Sequence, residues 1–389
     1  MKKALILTGS TGGGHIQAAK SLEAEFRSNG YEVITLDIFG SRGKFFNALI
    51  CESYDFLVET LPKIYDKMYD FADRKYFNSD VARILLLEAK KNTKNTIETF
   101  DPDVIVGTHP FVVHIVKRFK KKGIINCPTI SIITDFKAHY SYIDKSIDAY
   151  ITASKFTSET VANRKIPMDR VFPYGIPVRE DFKTCCPISE KKTTIDNILV
   201  MGGSMGSAGI IRTVEEITKN PRKLNLFVVC GRNEELKNQL EDKYKPLVES
   251  NQLQVIGFSN EIHKLMDACD LVITKPGGLT SSEAINKRIP MVIPFTFPGQ
   301  EKENVEFLVE QGVAVHVPEF SELNTKINTL IENPNIFVKM KENMSSIAKD
   351  YSTENIVTLS DDLIAKYDDY NFMGDHSRHS IFPFKKGAI

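Results

Sequence analysis

The sequence of 389 residues lacks tryptophan and has no excess of charge of either sign. Fifty lysines and arginines balance fifty aspartates and glutamates. The chain therefore has no overall electrostatic field of the kind that attracts nucleic acid, and we expect no nucleic-acid partner. Any partner that is attracted by charge must be recognised by a local patch.

Long apolar runs and paired cysteines are also missing. No run approaches the roughly 20 apolar residues that a membrane-spanning helix needs. The apolar segment after Met1-Lys2-Lys3 is only four residues long, which is too short for a signal peptide. The six cysteines show no C-x-x-C spacing, so free thiols in a reducing cytosol are the simplest account of them. We expect a cytoplasmic protein that can touch a membrane surface.

The central feature of the sequence is residues 2–15, which read KKALILTGSTGGGH. An apolar run meets a glycine turn, and apolar side chains then recur at helical spacing, which predicts strand, turn and helix. Three successive glycines, at positions 12–14, allow a large group to approach backbone N–H donors. His15 lies at the predicted helix start, where the helix dipole opposes protonation and favours a neutral base.

Two other interpretations of this turn remain open. Many glycine turns after a first strand bind nothing beyond their own helix. The acid Asp37, about 20 residues further on, suits a nicotinamide-binding fold. The turn, however, reads G-x-x-G-G-G-H rather than G-x-G-x-x-G.

Short apolar runs alternate with helical patterns, and the alternation begins again after a polar stretch that ends near residue 192. This predicts an α/β protein with two parallel, doubly wound sheets. We predict a first domain over residues 1–177 with a helical, aromatic insertion at about 40–100, and a second over 178–361. The tail over 362–389 either docks on the first domain or is disordered.

Polar residues follow several predicted strands. Thr108-His109 and Asp135 do so in the first half, and Lys275-Pro276-Gly277-Gly278 does so in the second. Ligands bind outside the carboxyl ends of parallel strands, so the polar residues of the first half, His109 and Asp135, are candidate site residues.

Two segments combine basic and aromatic residues. One is the insertion, and the other is Lys117–Lys122, which has five bases in six residues. Both suit contact with a lipid interface that carries anionic headgroups. The alternatives are an ordinary helical core for the insertion and a solvated helix end for the basic run.

Six motifs occur in order along the chain, and together they resemble glycosyltransferase family 28. They are GSTGGGH at 9–15, THPF at 108–111, ITDF at 133–136, GGSMG at 202–206, KPGGLTSSEA at 275–284 and PGQEKENV at 298–305. The resemblance spans about residues 2–361 and implies the GT-B fold, in which two doubly wound Rossmann-like domains face each other across a cleft. THPF and ITDF favour the branch of the monogalactosyldiacylglycerol synthases and processive diacylglycerol glucosyltransferases over the peptidoglycan branch.

The resemblance also implies roles for matching residues. His15 corresponds to the base that deprotonates the acceptor hydroxyl. Gly13, Gly14, His109 and Asp135 lie on the acceptor side, where His109 and Asp135 orient the acceptor, polarise His15 or serve as structural polar groups. The positions that correspond to donor-binding residues are Gly203, Ser204, Met205, Phe258, Ser259, Gly277, Gly278, Thr280, Ser281, Glu283, Gln300, Glu301, Asn304 and Arg179.

The implied activity is inverting transfer of glucose or galactose from a UDP-sugar to the 3-hydroxyl of 1,2-diacylglycerol. We expect no cofactor and no metal, because N–H groups at helix starts can stabilise the leaving diphosphate. The partners would be UDP-glucose or UDP-galactose, diacylglycerol and an anionic membrane surface on the inner face of the cell membrane. Two alternatives remain: a UDP-N-acetylglucosamine transferase acting on a polyprenyl-diphosphate-linked peptidoglycan precursor, and a non-catalytic UDP-sugar sensor.

Overall fold

The computed structural model describes residues 1–10, 13–40, 80–183, 192–202, 207–294, 296 and 300–372. They form two compact units. Unit 1 contains Met1–Arg179 and the chain from Asp350 onward, and unit 2 contains Glu180–Lys349.

Unit 1 is built on a parallel sheet with the strand order β2-β1-β3-β4-β5-β6. Its strands are β1 (Lys3–Thr8), β2 (Glu32–Asp37), β3 (Val104–Gly107), β4 (Thr129–Ile132), β5 (Ala149–Ile151) and β6 (Val171–Phe172). The helices between them are α1 (Gly13–Ser28), α2 (Asp80–Phe100), α3 (Pro110–Lys121) and α4 (Lys155–Asn163).

Strand β1 shows why the sheet is covered on both faces. Its four central residues are fully buried, and their side chains alternate between two apolar clusters. Ala4 and Ile6 pack in the cluster that includes α1, whereas Leu5 and Leu7 pack in the cluster that includes α2 and α3. A continuous apolar run is therefore what this position in the sheet requires.

Unit 2 repeats the architecture with the strand order β12-β11-β10-β7-β8-β9, all parallel. The strands are β7 (Asn197–Met201), β8 (Asn225–Gly231), β9 (Leu253–Gly257), β10 (Leu271–Thr274), β11 (Met291–Ile293) and β12 (Ala314–His316). The helices are α5 (Glu180–Lys183), α6 (Ser207–Ile217), α7 (Glu234–Lys243), α8 (Lys245–Glu249), α9 (Ile262–Ala268), α10 (Gly278–Lys287), α11 (Gln300–Glu310), α12 (Leu323–Glu332) and α13 (Pro334–Ala348). The prediction of two parallel, doubly wound sheets is confirmed.

The last helix, α14 (Thr353–Phe372), returns to unit 1. Ile356, Val357 and Leu363 are buried in the cluster that covers the α1 face of the first sheet. Asp361 accepts hydrogen bonds from Lys2 Nζ and Tyr31 Oη, both at 2.5 Å.

The domain limits differ from the predicted ones at the second boundary. The first division falls between Arg179 and Glu180, close to the predicted step from 177 to 178. The chain leaves unit 2 at Lys349 rather than at 361, because the apolar face of α14 packs on unit 1 along its length. The predicted tail thus begins in the middle of a helix, and residues 373–389 lie outside the described residues.

Each sheet has one point where the strand order reverses. In unit 1 the reversal lies between β1 and β3, and in unit 2 it lies between β7 and β10. The crevice outside the carboxyl ends of two such strands is where open parallel sheets bind ligands. These two corners contain the glycine turn before His15 and the KPGG segment.

Most of the predicted aromatic insertion, residues 41–79, lies outside the described residues. Only α2, at its end, is described. Within the described part of the chain, no helix is both long enough and apolar enough to cross a bilayer.

Candidate active site

The turn after β1 brings a histidine to the corner of the first sheet. β1 ends at Thr8, α1 begins at Gly13, and His15 is the third residue of the helix. Gly9 is required by close packing, because a Cβ atom there would lie 2.8 Å from both the His109 ring and the Phe39 ring. Of the two predicted acceptor-side glycines, Gly13 is exposed and Gly14 is half-buried.

The ring of His15 is held at one nitrogen. Nδ1 lies 2.8 Å from the Thr108 carbonyl oxygen and 3.1 Å from Thr134 Oγ1. A carbonyl oxygen can only accept, so Nδ1 carries the proton and donates it to Thr108. Nε2 then holds the lone pair, which is the arrangement a general base needs.

The protonation state of His15 also suits a base. Burial lowers the pKa of His15 to about 4, against the opposing effect of the hydrogen bond to the Thr108 carbonyl. The ring is therefore neutral at pH 7. A lowered pKa is what the position of His15 at a helix start predicted, but the main cause of the shift is desolvation by burial rather than the helix dipole.

His109 has a structural hydrogen bond that fixes its own tautomer. It is the N-cap of α3, and its Nδ1 accepts from the backbone N–H of Phe111 at 3.2 Å. Its ring packs edge-on against His15 with centroids 4.6 Å apart. Burial, and then the neighbouring His15, hold the pKa of His109 well below its usual range. His109 thus caps a helix and packs against the candidate base as a neutral ring.

Asp135 is brought to the same corner, next to Thr134 in the ITDF motif. Its side chain is buried at the end of the ITDF motif, and its charge raises the pKa of Tyr142 after the larger effect of burial. The two groups that contact His15 Nδ1 are Thr108 and Thr134. Sequence reasoning passed over Thr134, although it lies in a motif at the carboxyl edge of a predicted strand.

The second corner presents open N–H groups and buried hydroxyls. Helix α10 has Gly277 as its N-cap, without a side-chain capping bond. The Ser281 N–H donates to the Gly277 carbonyl, which leaves the N–H groups of Gly278, Leu279 and Thr280 unused by the helix. Among the described residues, the hydroxyls of Thr274, Ser281 and Ser282 are buried without a hydrogen-bond partner. Unsatisfied buried hydroxyls of this kind are costly unless a ligand meets them.

An ion pair joins this corner to α11. Lys275 Nζ lies 2.8 Å from Glu301 Oε1, and both side chains are largely buried. Asn304 is buried one turn further on, and its Nδ2 donates to the Pro276 carbonyl at 3.0 Å. The structure therefore brings Glu301 and Asn304 to the KPGG segment. Gln300 is the first residue of α11. Lys275 was not among the predicted site residues, and only its place in the motif could have indicated it.

The other predicted donor positions differ in what the structure shows. Gly203, Ser204 and Met205 lie outside the described residues. Phe258 follows β9 with 59% of its surface exposed, and the Arg232 guanidinium lies 5.0 Å from its ring centroid. Ser259 Oγ accepts from the Glu261 N–H at 3.0 Å. Glu283 is half-buried in α10, and Arg179 is half-buried at the end of unit 1.

The basic run at the end of α3 is smaller as a surface than its sequence suggests. Lys117 pairs with Asp144 at 2.8 Å, and Lys120 pairs with the fully buried Asp148. Lys117 is exposed although it is paired, and Arg118, Lys121 and Lys122 are exposed as well. Helix α3 starts at the carboxyl edge of the sheet, so its end lies at the edge opposite His15.

Metal-ligand and thiol chemistry have few candidates in the described part of the chain. The sequence has one Asp-x-Asp triplet, at Asp101-Pro102-Asp103. It precedes β3 and therefore lies at the amino edge of the sheet, whereas His15 lies at the carboxyl edge. There, Asp103 Oδ2 accepts a hydrogen bond from the Lys3 N–H at 2.6 Å. The described residues contain no group of three His, Cys, Asp or Glu side chains that could hold a metal ion. Burial raises the pKa of Cys127 to about 12 and that of Cys230 to about 11, so these free thiols are poor nucleophiles.

Two family profiles match the chain, one in each unit. Residues 15–178 match the monogalactosyldiacylglycerol (MGDG) synthase family. Residues 197–355 match the glycosyltransferase family 28 C-terminal domain.

Full-length comparisons agree with these profiles. The chain is 30% identical to a processive diacylglycerol beta-glucosyltransferase of Bacillus cereus (strain B4264), over 100% of this chain and 97% of that protein. Among solved structures, Acinetobacter baumannii MurG is similar with a TM-score of 0.62 and 16% identity, covering 93% of this chain and 100% of MurG. Anabaena HepE in complex with UDP-glucose is similar with a TM-score of 0.54 and 16% identity, covering 94% and 100%. These structures share the GT-B fold with this chain.

Proposed function

The chain belongs to glycosyltransferase family 28, and we propose that it is an inverting hexosyltransferase that moves glucose or galactose from a UDP-sugar to the 3-hydroxyl of 1,2-diacylglycerol. The product is a β-glycosyl diacylglycerol. The observation that carries the proposal is the fixed imidazole of His15, with a protonated Nδ1 and a free Nε2 at the corner of the first sheet.

His15 performs the proton transfer in this reaction. Nε2 removes the proton of the acceptor hydroxyl as its oxygen forms a bond to C1 of the sugar. The bond from C1 to the diphosphate oxygen breaks on the opposite face, and UDP takes that electron pair. A single displacement of this kind converts the α-linked donor into a β-linked product. General-base assistance is worth about 10²–10⁴ in rate.

Unit 2 supplies the groups suited to the leaving diphosphate. The free N–H groups at the start of α10 and the buried hydroxyls of Thr274, Ser281 and Ser282 favour a nearby anion. These groups are fixed before the reaction, so they can stabilise charge as the bond to UDP breaks. We propose that no metal takes part. Glu301, held by Lys275, is positioned to accept a hydrogen bond from a hexose hydroxyl.

The first alternative, transfer of N-acetylglucosamine to a polyprenyl-diphosphate acceptor, has weaker support. Likeness to MurG extends to the fold at 16% identity, whereas the relative that acts on diacylglycerol is 30% identical along the whole chain. The second alternative, a sensor, does not account for His15, because a sensor needs no base with a fixed tautomer.

A lipid acceptor requires contact with a membrane. We propose that the protein is cytoplasmic and binds peripherally to the inner face of the cell membrane through unit 1. Two candidate surfaces are the insertion at 40–100 and the exposed bases at the end of α3. Helix α3 ends at the edge away from His15. The first residue of the insertion, Gly40, follows β2 at the His15 edge, so the insertion is the better candidate.

Product analysis tests the proposed reaction. The protein is incubated with diacylglycerol micelles, or separately with a polyprenyl-diphosphate lipid, and with labelled UDP-glucose, UDP-galactose or UDP-N-acetylglucosamine. The lipids are then separated by thin-layer chromatography. We expect a β-hexosyl diacylglycerol from one or both hexose donors and no product with His15→Gln. Transfer only from UDP-N-acetylglucosamine to a polyprenyl-diphosphate lipid would support the peptidoglycan alternative. UDP-sugar binding without turnover on either lipid would support the sensor.

Vesicle binding tests the basic surface separately. Reversing Arg118, Lys121 and Lys122 to Glu should weaken binding to phosphatidylglycerol-containing vesicles, and the loss should shrink in high salt. Lys339→Glu, an exposed site in unit 2, serves as the control. Equal binding by the triple variant would exclude the end of α3 as a docking site.

A further inference from the structure

We propose that Thr134, held by Tyr142, is a positioning residue that fixes the orientation of the His15 ring, whose tautomer is set by the Thr108 carbonyl. The inference rests on the proposed function, in which His15 is the base. It adds two residues outside the predicted site to the machinery of proton transfer.

The geometry places two oxygens on one ring nitrogen. Thr108 O and Thr134 Oγ1 lie 2.8 and 3.1 Å from His15 Nδ1. They come from different strand ends, since Thr108 follows β3 and Thr134 follows β4. One oxygen sets the direction of the N–H group, and a second oxygen restricts rotation of the ring about that direction. The direction of the Nε2 lone pair is therefore fixed, in addition to its being unprotonated.

The hydroxyl of Thr134 is itself fixed. Thr134 is buried, and its Oγ1 lies 2.9 Å from Tyr142 Oη. Because Nδ1–H is a donor, Thr134 Oγ1 meets it as an acceptor, and the Thr134 hydroxyl shares a second hydrogen bond with Tyr142 Oη. Tyr142 packs in the apolar core of unit 1. Burial, and then the charge of Asp135, raise the pKa of Tyr142, so this hydroxyl stays protonated.

The arrangement has a consequence for the charged state of His15. When Nε2 takes the acceptor proton, the ring becomes an imidazolium whose Nδ1–H is more strongly polarised. Two fixed oxygen acceptors then stabilise the charge at the moment it forms. This offsets part of the desolvation that lowers the pKa of the neutral ring. Removing one acceptor should therefore slow proton transfer and lower the pKa of His15 further.

Other described groups of unit 1 lie around the same network. His109 faces His15 from the start of α3. Tyr142 shares a hydrogen bond with Thr134, and the charge of Asp135 acts on Tyr142. Thr108 also contacts His15 through its Oγ1, which donates to the His15 carbonyl at 3.1 Å.

The experiment compares Thr134→Val, which removes the hydroxyl at constant shape, with Thr134→Ser, which retains it, and with Tyr142→Phe. Ser360→Ala is the control, because Ser360 is a buried hydroxyl of unit 1 that bonds only within α14, at 2.7 Å to Ile356 O. We expect Thr134→Val to lower kcat about tenfold, the effect of losing one hydrogen bond to a charged group, with the KM for UDP-hexose unchanged. Thr134→Ser should restore kcat to within about twofold, and Tyr142→Phe should fall between the two.

A second measurement does not depend on activity. The ¹⁵N shifts of the imidazole nitrogens, assigned to His15 by comparison with His15→Gln, report the tautomer directly. We expect a protonated Nδ1 and a free Nε2 at pH 7 in the wild type. In Thr134→Val the Thr108 carbonyl should keep this tautomer, and the Nδ1 shift should move because one acceptor is lost. Wild-type kcat and a wild-type Nδ1 shift in Thr134→Val would overturn the proposal. The expected shifts in a protein that forms no glycolipid would uphold the role of Thr134 and reject the proposed function.

Discussion

The two units have the same architecture and different chemistry at the same corner. Each is a six-stranded parallel sheet whose strand order reverses beside its first strand, and each has a glycine-containing turn and a helix start at that point. In unit 1 the corner holds two neutral imidazoles with a hydroxyl network behind one of them. In unit 2 it holds open N–H groups, unpaired hydroxyls among the described residues, and a Lys–Glu pair. The fold provides the position of the site, and a few side chains decide whether that site is suited to proton transfer or to anion binding.

The two corners also differ in how their polar groups are satisfied. Around His15 the hydroxyls of Thr8, Thr108, Thr134 and Tyr142 bond to one another or to His15 itself. Around α10, Thr274, Ser281 and Ser282 have none among the described residues. A general base needs its ring held in one orientation before the substrate binds. The donors of an anion site can instead form their hydrogen bonds when the ligand binds.

The largest effect should come from removing the ring of unit 1. His15→Ala should lower kcat by about 10²–10⁴, because the acceptor hydroxyl loses its base. UDP affinity, measured by titration, should be nearly unchanged. The control is His316→Gln, which changes a histidine of unit 2 whose pKa is likewise lowered by burial. Turnover of His15→Ala within a few-fold of the wild type would remove His15 from this role.

An intermediate effect should come from breaking the ion pair of unit 2. Lys275→Met leaves the largely buried Glu301 carboxylate without its cation, and it should raise the KM for UDP-hexose about tenfold. UDP alone should bind as before, since the pair is assigned to the sugar. Lys287→Met is the matched control, because it breaks the 2.8 Å pair with Asp267 at the other end of α10. Equal losses of UDP-hexose and UDP affinity would assign Lys275 to the nucleotide instead.

A smaller effect concerns the stability of unit 1, against which the last helix, α14, packs. Tyr367 of α14 donates to the buried Asp148 at 3.1 Å, where Lys120 also binds. Tyr367→Phe should lower the free energy of unfolding by about 1 kcal/mol. Urea denaturation measures this, and Tyr244→Phe in unit 2 is the control. An unchanged midpoint would show that the apolar face of α14 is enough to hold it.

The smallest effect should be the response of kcat to mild acid. The pKa of His15 is lowered to about 4, so the neutral, active form persists as the pH falls through the usual histidine range. We expect kcat to change less than about twofold between pH 7 and pH 5 and to fall as the pH approaches 4. A half-maximal rate near pH 6.5 would mean that the ring is solvated in the working enzyme.

Much of this molecule follows from local pattern. The two sheets follow from the alternation of the sequence, because buried parallel strands are short, continuous apolar runs between turns. β12 gives a weaker signal, since Ala314-Val315-His316 is only three residues long and ends in a polar residue. Docking of the chain end on the first domain was one of two predicted alternatives, and the described part of α14 packs on that domain. The return to unit 1 at Asp350 was not predicted, because a helix does not reveal in its sequence which sheet it will cover.

The sequence by itself determined the family, the two sheets, and the placing of His15 and the KPGG segment at strand ends, because alternating apolar runs and glycine turns encode those features locally. Only the tertiary structure decided which groups meet. Thr134 reaches His15 across 119 positions, and Lys275 reaches Glu301 across 26. A hydrogen bond depends on distances of a few tenths of an ångström between atoms of separate strands, and the packing of the sheet and its helices sets those distances.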